Sequence, residues 1–505
     1  MDNFTDEIRE KLNVCLLNDS FPPVIDGVAN TVFNYASIIQ NELGNAVVAT
    51  PEYPNVTDSY NFDVVRYKSF DTTGIIGYRA GYPFEPATIG RVEDKNINII
   101  HSHCPAVSTV LARTLREKVN VPIVFTYHTK FDIDIKKAIE SNLLQEAMIK
   151  FIVKNVEACD EVWVVSHGAG ENLKSLGYKG DYIVMENGVD FTKGKADNDK
   201  VVELKKELGI DDGYPVFLFV GRLMWYKGLK LIFNALKTVK EHGGKFHMVV
   251  VGNGADGKEM EEYTKQIGID DCCVFAGAVH ERETLRVYYT MADMFLFAST
   301  YDTNGIVVRE AAACGLGSVL IKGSCAAENI VHERNGYIID ETEDAMAEAI
   351  TKLINNIGLA HEIGENAMNE IYIPWDASVK KAYDRYYEVI KNYRNPHYIP
   401  KYSFTDDALS GIGGICEGLF KAEKMREVVS NGFMESNYLK AKEVFEKHKE
   451  MGQGFFIENP KKKLLLRTEQ FKTDFSEKKN ELKSEFVERR EEAKEIIWHY
   501  MDRYL

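Results

Sequence analysis

Two carboxylates lie eight positions apart, on either side of a glycine turn, in the segment FASTYDTNGIVVREAAACGL. They are Asp302 and Glu310, and Thr303, Asn304 and Gly305 form the turn. The residues from Val308 to Gly315 are typical of the first turns of a helix, whose free N–H groups and positive dipole end suit a diphosphate. Carboxylates beside such a start can accept hydrogen bonds from sugar hydroxyls. The segment therefore predicts a sugar nucleotide site, and the alternative is an ordinary turn before a solvated helix face.

A second segment, VFLFVGRLMWYKGL, places two cations directly after an apolar strand pattern and a glycine. Arg222 and Lys227 are five positions apart, so both can neutralise a leaving diphosphate without a metal ion. The alternative is a pair of solvated side chains near a helix start. That alternative does not explain why both follow a buried strand and a glycine. We therefore predict that they bind the diphosphate of the same ligand.

The elements that must position these groups alternate between strand and helix patterns from Val14 to about Val389. This alternation indicates the α/β class with doubly wound parallel sheets. A chain of 505 residues can form two or three domains with cores of their own. The first series closes near ENGVD, and a helix pattern spans Trp375 to Tyr393. We predict domains over 1–190 and 191–375, a helix over 376–395 and a helical appendage over 396–505.

Composition restricts the partners and the compartment. The net charge of −16 argues against nucleic acid, which requires a surplus of Lys and Arg. No apolar run reaches the length of a membrane span, and the start MDNFTDEIREKLN is charged, so we expect a cytoplasmic protein without a signal peptide. The eight cysteines lack paired spacing, which favours reduced thiols over disulfides or zinc.

Several stretches, in this order, carry a resemblance to a known family. NVCLLNDSFPPVIDGVANTVFNYASII contains a strand, a loop at Gly27 and a helix; VPIVFTYHTKF contains His128; VGRLMWYKG and VVVGNG follow. Over about residues 12–395 the chain resembles the retaining glycosyltransferases of family 4, which have the GT-B fold of two facing Rossmann-like domains. The resemblance implies that 1–190 binds the acceptor, that 191–375 binds the donor, and that 376–395 crosses back to the first domain.

The resemblance also implies a role for each site residue. Gly27 would let the backbone approach the donor phosphates, and Asp26 precedes it where the family often has a second glycine. His128 would orient the transferred sugar. Glu310 would bind the ribose, and Asp302, in place of the family's usual Glu, would bind the sugar hydroxyls. The implied reaction moves a hexosyl group from a nucleoside diphosphate sugar to a hydroxyl, with retention at the anomeric carbon.

The pairing of YHTKFDIDI with STYDTNG is most similar to bacterial glucosyltransferases that act on diacylglycerol or a glycolipid. This narrower resemblance implies a UDP-linked glucosyl donor, a membrane lipid or glycolipid acceptor, and peripheral contact with the inner face of the membrane. A cell-surface saccharide is the alternative acceptor. We expect no metal ion and no other cofactor, because Arg222 and Lys227 supply the positive charge.

Two other motifs suggest different chemistry. Gly252, Gly254 and Gly257 fit a dinucleotide fingerprint, as in an NAD-dependent oxidoreductase, but the next strand pattern ends without the acidic residue that would bind the ribose. Asp132 and Asp134, two positions apart, match the metal-binding motif of another glycosyltransferase fold. They follow the histidine segment of the acceptor domain, so a helix-start role is favoured.

The cluster His101, His103 and Cys104 could suggest a metal site, but histidines at a strand end are more often hydrogen-bonded within the structure. Other function classes also remain open. A GT-B epimerase or phosphorylase would share the fold, and a sugar-nucleotide-binding scaffold would share the site without catalysis.

The last part of the chain differs in character, because its basic and acidic side chains balance while the rest carries the net negative charge. Apolar residues recur at helical spacing from Phe471 to Tyr500. We expect a long amphipathic helix that packs on the body of the protein or on a second subunit as a homo-oligomer contact. The alternative is a membrane-surface helix, helped by Lys461 to Lys463 followed by Leu464 to Leu466.

Overall fold

The computed structural model describes residues 10–24, 26–71, 79–138, 141–210, 213–399 and 401. Both sheets of the fold belong to one compact unit, which ends before residue 414. The amphipathic helix expected from Phe471 to Tyr500 and the lysine-rich segment before it lie outside the described residues.

The first lobe is built on a parallel sheet whose spatial order is β3-β2-β1-β6-β7-β8-β9, and β4 and β5 form a small antiparallel pair beside it. The strands are β1 (Asn13–Leu17), β2 (Asn45–Pro51), β3 (Asp63–Tyr67), β4 (Ser69–Phe70), β5 (Ala80–Gly81), β6 (Ile99–Ser102), β7 (Ile123–Tyr127), β8 (Glu161–Val164) and β9 (Ile183–Val184). The helices are α1 (Gly27–Ile38), extended by a π-helical turn (Ile39–Leu43), α2 (Pro86–Glu93), α3 (Val107–Val119), α4 (Phe131–Ala138), α5 (Asn142–Glu157) and α6 (His167–Ser175).

The second lobe repeats this plan on a parallel sheet of order β12-β11-β10-β13-β14-β15. Its strands are β10 (Val216–Val220), β11 (His247–Val251), β12 (Cys273–Gly277), β13 (Met294–Phe297), β14 (Ser318–Ile321) and β15 (Tyr337–Ile339). The helices are α7 (Asn198–Glu207), α8 (Leu229–Glu241), α9 (Gly257–Ile267), α10 (Arg282–Met291), α11 (Ile306–Ala313), α12 (Glu343–Asn355), α13 (Ile357–Glu370) and α14 (Trp375–Tyr393). Short 3-10 turns lie at Trp225–Lys227, Asp270–Cys272 and Cys325–Ala327.

The central strands of both sheets are continuous apolar runs because helices cover both faces. β10 reads VFLFV and β13 reads MFLF, and every residue of both strands is buried. A parallel sheet closed on both sides requires this pattern rather than an alternation of polar and apolar residues. The α/β prediction is therefore confirmed.

Each sheet reverses its strand order beside its first strand, between β1 and β6 in one lobe and between β10 and β13 in the other. The loops that leave the carboxyl ends of such neighbouring strands diverge and open a crevice, which is where ligands bind in open α/β sheets. Two such crevices, one in each lobe, form the walls of the cavity described below.

Helix α14 packs on the first sheet, although it follows the second in the chain. Its residues Trp375, Val379 and Tyr386 are buried in the same apolar cluster as Val14 and Leu16 of β1. The hydroxyl of Tyr383 accepts a hydrogen bond of 2.8 Å from the backbone N–H of Leu12, and Arg385 forms an ion pair of 2.6 Å with Glu161. The helix thus joins the two lobes. In the described part of the chain, no helix is both long and apolar enough to span a bilayer.

Candidate active site

A cavity of about 510 Å³ lies between the two lobes, at the carboxyl ends of β1, β6, β7, β10 and β13. Most of the residues that the sequence singled out line it: Gly27, His128, Arg222, Lys227, Asp302, Thr303 and Asn304. Gly305 and Glu310 do not belong to this lining. The fold therefore brings together segments that are up to about 280 positions apart in the chain.

The basic pair stands on a tight turn after β10. Arg222 is exposed, and within the described structure its guanidinium forms no hydrogen bond. Lys227 ends the 3-10 turn and places its ammonium 2.6 Å from Oδ1 of Asp302. Gly228 follows with a φ of +81°, and a Cβ there would lie 2.4 Å from the carbonyl oxygen of Ala298. Only glycine lets the turn pack this closely on the strand that leads to Asp302.

Two glycines of the dinucleotide-like motif also allow one backbone segment to pack closely against another. A Cβ on Gly252 would lie 1.9 Å from the carbonyl oxygen of Gly221, and one on Gly254 would lie 2.2 Å from that of Leu223. The loop after β11 therefore runs directly against the loop that carries Arg222. Close backbone approach accounts for these two glycines in this lobe, without a bound dinucleotide.

The turn between the two carboxylates leaves several polar groups without protein partners. Oδ2 of Asp302 and both amide atoms of Asn304 are buried and unpaired in the described structure. Gly305 has a φ of +58°, and a Cβ there would lie 2.9 Å from that of Ala326. Helix α11 begins at Ile306 with no side-chain cap, so its first N–H groups are not satisfied by a capping side chain. Unpaired buried groups at a cavity wall are groups that a ligand can satisfy.

Thr303 contacts the other lobe. Its hydroxyl donates a hydrogen bond of 2.5 Å to the carbonyl oxygen of His128. Thr303 therefore fixes the carboxylate turn relative to the histidine that faces it, in addition to lining the cavity.

Glu310 lies about one turn into helix α11. The helix begins at Ile306, two residues before the predicted Val308, so Glu310 is its fifth residue. Its carboxylate is only 5% exposed and accepts hydrogen bonds from Arg282 at 2.8 Å and from the hydroxyl of Tyr289 at 2.9 Å. Burial raises the pKa of Glu310, and the neighbouring guanidinium opposes that shift. A carboxylate has about four acceptor positions, so two remain for a ligand.

His128 ends a row of three buried histidines. Its Nε2 lies 2.9 Å from Nδ1 of His103, whose ring is tilted by 36° against that of His101 at a centroid distance of 4.0 Å. His101 in turn contacts the hydroxyl of Tyr386 at 2.6 Å and that of Thr126 at 2.7 Å. Burial lowers the pKa of His128 to about 3 and lowers the pKa of the other two well below the usual value. All three are therefore neutral at physiological pH and act as hydrogen-bonding groups.

The loop before α1 differs from the expected pair of glycines. Oδ1 of Asp26 accepts hydrogen bonds of 2.8 Å from the N–H groups of Val28 and Ala29, so the carboxylate caps the helix. Apart from its two chain neighbours and the backbone of its own helix, no described residue comes within 4 Å of a Cβ built on Gly27, which leaves open space beside the cap. Gly27 thus has the room that a closely approaching ligand needs.

Asp19, which the sequence analysis did not single out, holds the next loop in place. This buried residue follows β1 and accepts hydrogen bonds from the N–H groups of Val107 and Ser108 and from the thiol of Cys104. It thereby caps the start of α3, and the thiol of Cys104 donates to the same carboxylate. The signal available in the sequence was an acidic residue just after an apolar strand, which is common at such caps. Asp132, for which the sequence favoured a helix-start role, is the second residue of α4 and forms an ion pair with Lys136.

Other contacts between the lobes were not predictable from motifs. The carboxylate of Glu328 accepts hydrogen bonds of 2.7 and 2.6 Å from the N–H groups of His167 and Gly168, at the start of α6. Arg309 donates to the carbonyl oxygen of Asn187 at 2.6 Å. These bonds hold the lobes together around the cavity.

Two family models match the chain, one after the other. The model described as Glycosyltransferase Family 4 matches residues 25–193, and the model described as Glycosyl transferases group 1 matches residues 200–370. They cover most of the first and second lobes respectively, including the loops that carry Gly27, His128, Arg222 and Asp302.

The chain is also similar to individual proteins. It is 23% identical over 348 residues to an alpha-monoglucosyldiacylglycerol synthase of Streptococcus pneumoniae, covering 68% of this chain and 78% of that protein. A protein of the same name from Acholeplasma laidlawii is 20% identical over 353 residues, covering 67% and 87%. Among solved structures, Anabaena HepE in complex with UDP has a TM-score of 0.59 at 17% identity and covers 75% of this chain and 100% of its own. At this identity the likeness shows the fold alone.

Proposed function

We propose that this chain, which glycosyltransferase family models match in both lobes and which has the GT-B fold that its sequence predicts, is a retaining glucosyltransferase that uses a UDP-linked donor and glycosylates a hydroxyl of a membrane lipid or glycolipid. The two matched family models support transfer of a sugar. The names of the two synthases to which the chain is similar support the lipid acceptor and the glucosyl group. The UDP bound by HepE supports the nucleotide.

One observation carries the donor assignment. Two cations and an uncapped helix start meet in a single cavity beside the unpaired polar groups of the carboxylate turn. Arg222 has a guanidinium free for phosphate oxygens, and Lys227 adds a second charge. The N–H groups at the start of α11 supply further donors. This set matches the charge and the acceptor geometry of a diphosphate.

In the proposed mechanism, breaking the bond from sugar to diphosphate places negative charge on the leaving group and positive charge on the sugar ring. Arg222 and Lys227 stabilise the leaving group because they are held in place before the reaction. Lys227 leaves or shares its contact with Asp302 when a phosphate binds. Oδ2 of Asp302 then accepts a hydrogen bond from a sugar hydroxyl. The side-chain amide of Asn304 donates to, or accepts from, a neighbouring hydroxyl.

Retention follows, in this proposal, from departure and attack on the same face of the sugar. Asp19 is a poor candidate for a covalent nucleophile, since both of its oxygens accept hydrogen bonds from the start of α3. His128 is neutral and orients the transferred sugar through hydrogen bonds. Glu310 binds the ribose with its remaining acceptor positions, on a carboxylate fixed by Arg282 and Tyr289.

The proposed site needs no metal ion, because fixed cations neutralise the diphosphate. Peripheral contact with a membrane surface and homo-oligomer formation through residues 396–505 remain predictions. So do the domain boundaries at 190, 375 and 395.

The test is a donor panel combined with an acceptor panel. UDP-glucose, UDP-galactose, UDP-N-acetylglucosamine and GDP-mannose are each incubated with diacylglycerol, an alkyl glucoside or a soluble oligosaccharide, and nucleotide release and glycosylated product are measured. We expect release and product together, with UDP-glucose and a lipid-linked acceptor. Conversion of the sugar nucleotide without any acceptor would indicate an epimerase. Phosphate-dependent breakdown of the product would indicate a phosphorylase, and tight UDP binding without turnover would indicate a scaffold.

A further inference from the structure

We propose that Asp26 is a specificity-determining residue that excludes anionic acceptors, so that the hydroxyl glycosylated by this protein belongs to a neutral sugar or polyol. This inference rests on the proposed function and names the acceptor class that the cavity admits. Asp26 occupies the position at which the family that the chain resembles often has a second glycine.

Asp26 uses only part of its carboxylate for the helix cap. Oδ1 accepts both hydrogen bonds from the start of α1, whereas Oδ2 accepts none from the residues that the structure describes. Asp26 and Gly27 both line the cavity, and no residue outside the chain neighbours and own helix of Gly27 fills the space beside it in the described structure. A ligand in that space would meet a carboxylate oxygen that has a negative charge and an unused acceptor position.

The cations of the lining are few, and a bound donor would use two of them. The diphosphate takes up Arg222 and Lys227, the second of which is otherwise paired with Asp302. Lys130 is the remaining cation of the lining, and its ammonium is directed to the second lobe, where it donates to the carbonyl oxygen of Thr300 at 3.1 Å. A second anion, on the acceptor beside Gly27, would then face the carboxylate of Asp26 with Lys130 alone to offset it. Like charges in a partly desolvated cleft repel strongly enough to select between partners.

A second, independent observation indicates what the first-lobe wall does bind. His103 is 1% exposed and lines the cavity, and its Nε2 is buried without a protein partner. The neighbouring His128 contacts it through the other ring nitrogen. Because burial keeps the pKa of both rings low, they offer hydrogen bonds but no positive charge. Neutral ring nitrogens beside a carboxylate oxygen suit sugar or glycerol hydroxyls rather than phosphate.

The variant Asp26→Asn separates the charge from the cap. Asparagine caps a helix about as well as aspartate, so α1 keeps its start while the charge is lost. The assay compares kcat/KM for octyl glucoside with kcat/KM for octyl glucoside 6-phosphate, and for diacylglycerol with phosphatidylglycerol. All acceptors are presented in micelles of a neutral detergent with saturating UDP-glucose. Taking the ratio within each pair cancels any effect of the substitution on donor binding.

We expect the wild-type protein to prefer the neutral member of each pair and Asp26→Asn to reduce that preference roughly tenfold, the scale of removing one like charge a few ångströms from a ligand. Asp94→Asn is the matched control, because Asp94 is exposed at the end of α2 and does not line the cavity. Its ratio should equal that of the wild type.

Three results would overturn the inference. Equal use of both members by the wild-type protein would show that charge is not selected. A ratio in Asp26→Asn that equals the ratio in Asp94→Asn would assign the selection to other residues. Both results leave the proposed function intact, because transfer is still observed. Binding of UDP-glucose with no transfer to any acceptor would instead overturn the proposed function, and the inference with it.

Discussion

The ion pair between Lys227 and Asp302 places donor binding and sugar binding in competition. The two side chains are 12% and 24% exposed, and their charged atoms are 2.6 Å apart. A diphosphate that needs the ammonium must compete with the carboxylate. We therefore expect Asp302→Asn, which keeps the size but removes the charge, to tighten the binding of free UDP. The same substitution should reduce turnover of UDP-glucose, since Asp302 is proposed to bind the sugar.

The size of the gain follows from the burial of the pair. Exposed ion pairs contribute up to about 1 kcal/mol, and breaking a buried pair costs about 3–5 kcal/mol. The pair of Lys227 and Asp302 lies between these cases, so we expect a coupling of about 1–2 kcal/mol, which corresponds to roughly 5- to 30-fold tighter UDP binding. Loss of one hydrogen bond that forms to the sugar in the transition state should lower turnover by about 10²-fold.

Calorimetric titration with UDP and steady-state assays with UDP-glucose measure the two effects separately. A double-mutant cycle with Lys227→Met provides the control, because the gain from Asp302→Asn should vanish when the ammonium is absent. Lys227→Met alone should weaken UDP binding. The reasoning would be refuted if Asp302→Asn bound UDP no more tightly than the wild type, or if the gain persisted in the Lys227→Met background.

Four further predictions follow from the site and its surroundings. Arg222→Ala should lower turnover by about 10²-fold or more, measured by UDP release, and near-normal rates would remove it from the donor site. Activity should survive dialysis against EDTA, whereas a loss that Mg²⁺ or Mn²⁺ restores would establish a metal. Burial lowers the pKa of His101, His103 and His128, the last to about 3, so the unfolded chain binds more protons below its own pKa of about 6.5. The free energy of unfolding should therefore fall as pH decreases from about 6.5, by about 1.4 kcal/mol per pH unit for each histidine, and urea titrations at about pH 7 and 5.5 that gave equal values would contradict this. Truncation after Lys401 should preserve UDP binding and alter assembly or acceptor use, and loss of nucleotide binding would place the tail within the donor site.

The sequence was most informative where function depends on local order. The position of Arg222 and Lys227 at the cavity could be predicted because a buried parallel strand is a continuous apolar run, and the residues directly after it lie at the edge where ligands bind. The turn from Thr303 to Gly305 could be found for the same reason. These predictions needed only the end of a strand and the start of a helix, both of which leave a clear local pattern.

The partners of Glu310 left no such pattern. Arg282 and Tyr289 lie on α10, more than 20 positions before it, and contact it only because α10 packs beside α11. Likewise, Glu328 reaches the start of α6 across the gap between the lobes. Such contacts depend on how whole elements pack, so a single sequence cannot indicate them. The start of α11 was misplaced by two residues for a simpler reason, since Gly305 ends the turn earlier than the apolar pattern suggests.

Each of the four residues in the turn before α11 makes a different contribution. Asp302 forms an ion pair with Lys227, and Thr303 donates a hydrogen bond to the backbone of His128 in the first lobe. Asn304 faces the cavity with an amide that is unpaired in the described structure, and Gly305 directly precedes the helix. Because neighbouring residues of one tight turn cannot move independently, a change in the separation of the lobes also changes the position of the groups that face the sugar. We therefore expect closure of the lobes and assembly of the proposed donor site to be coupled, which is the arrangement required where water must be excluded before a glycosyl bond is broken.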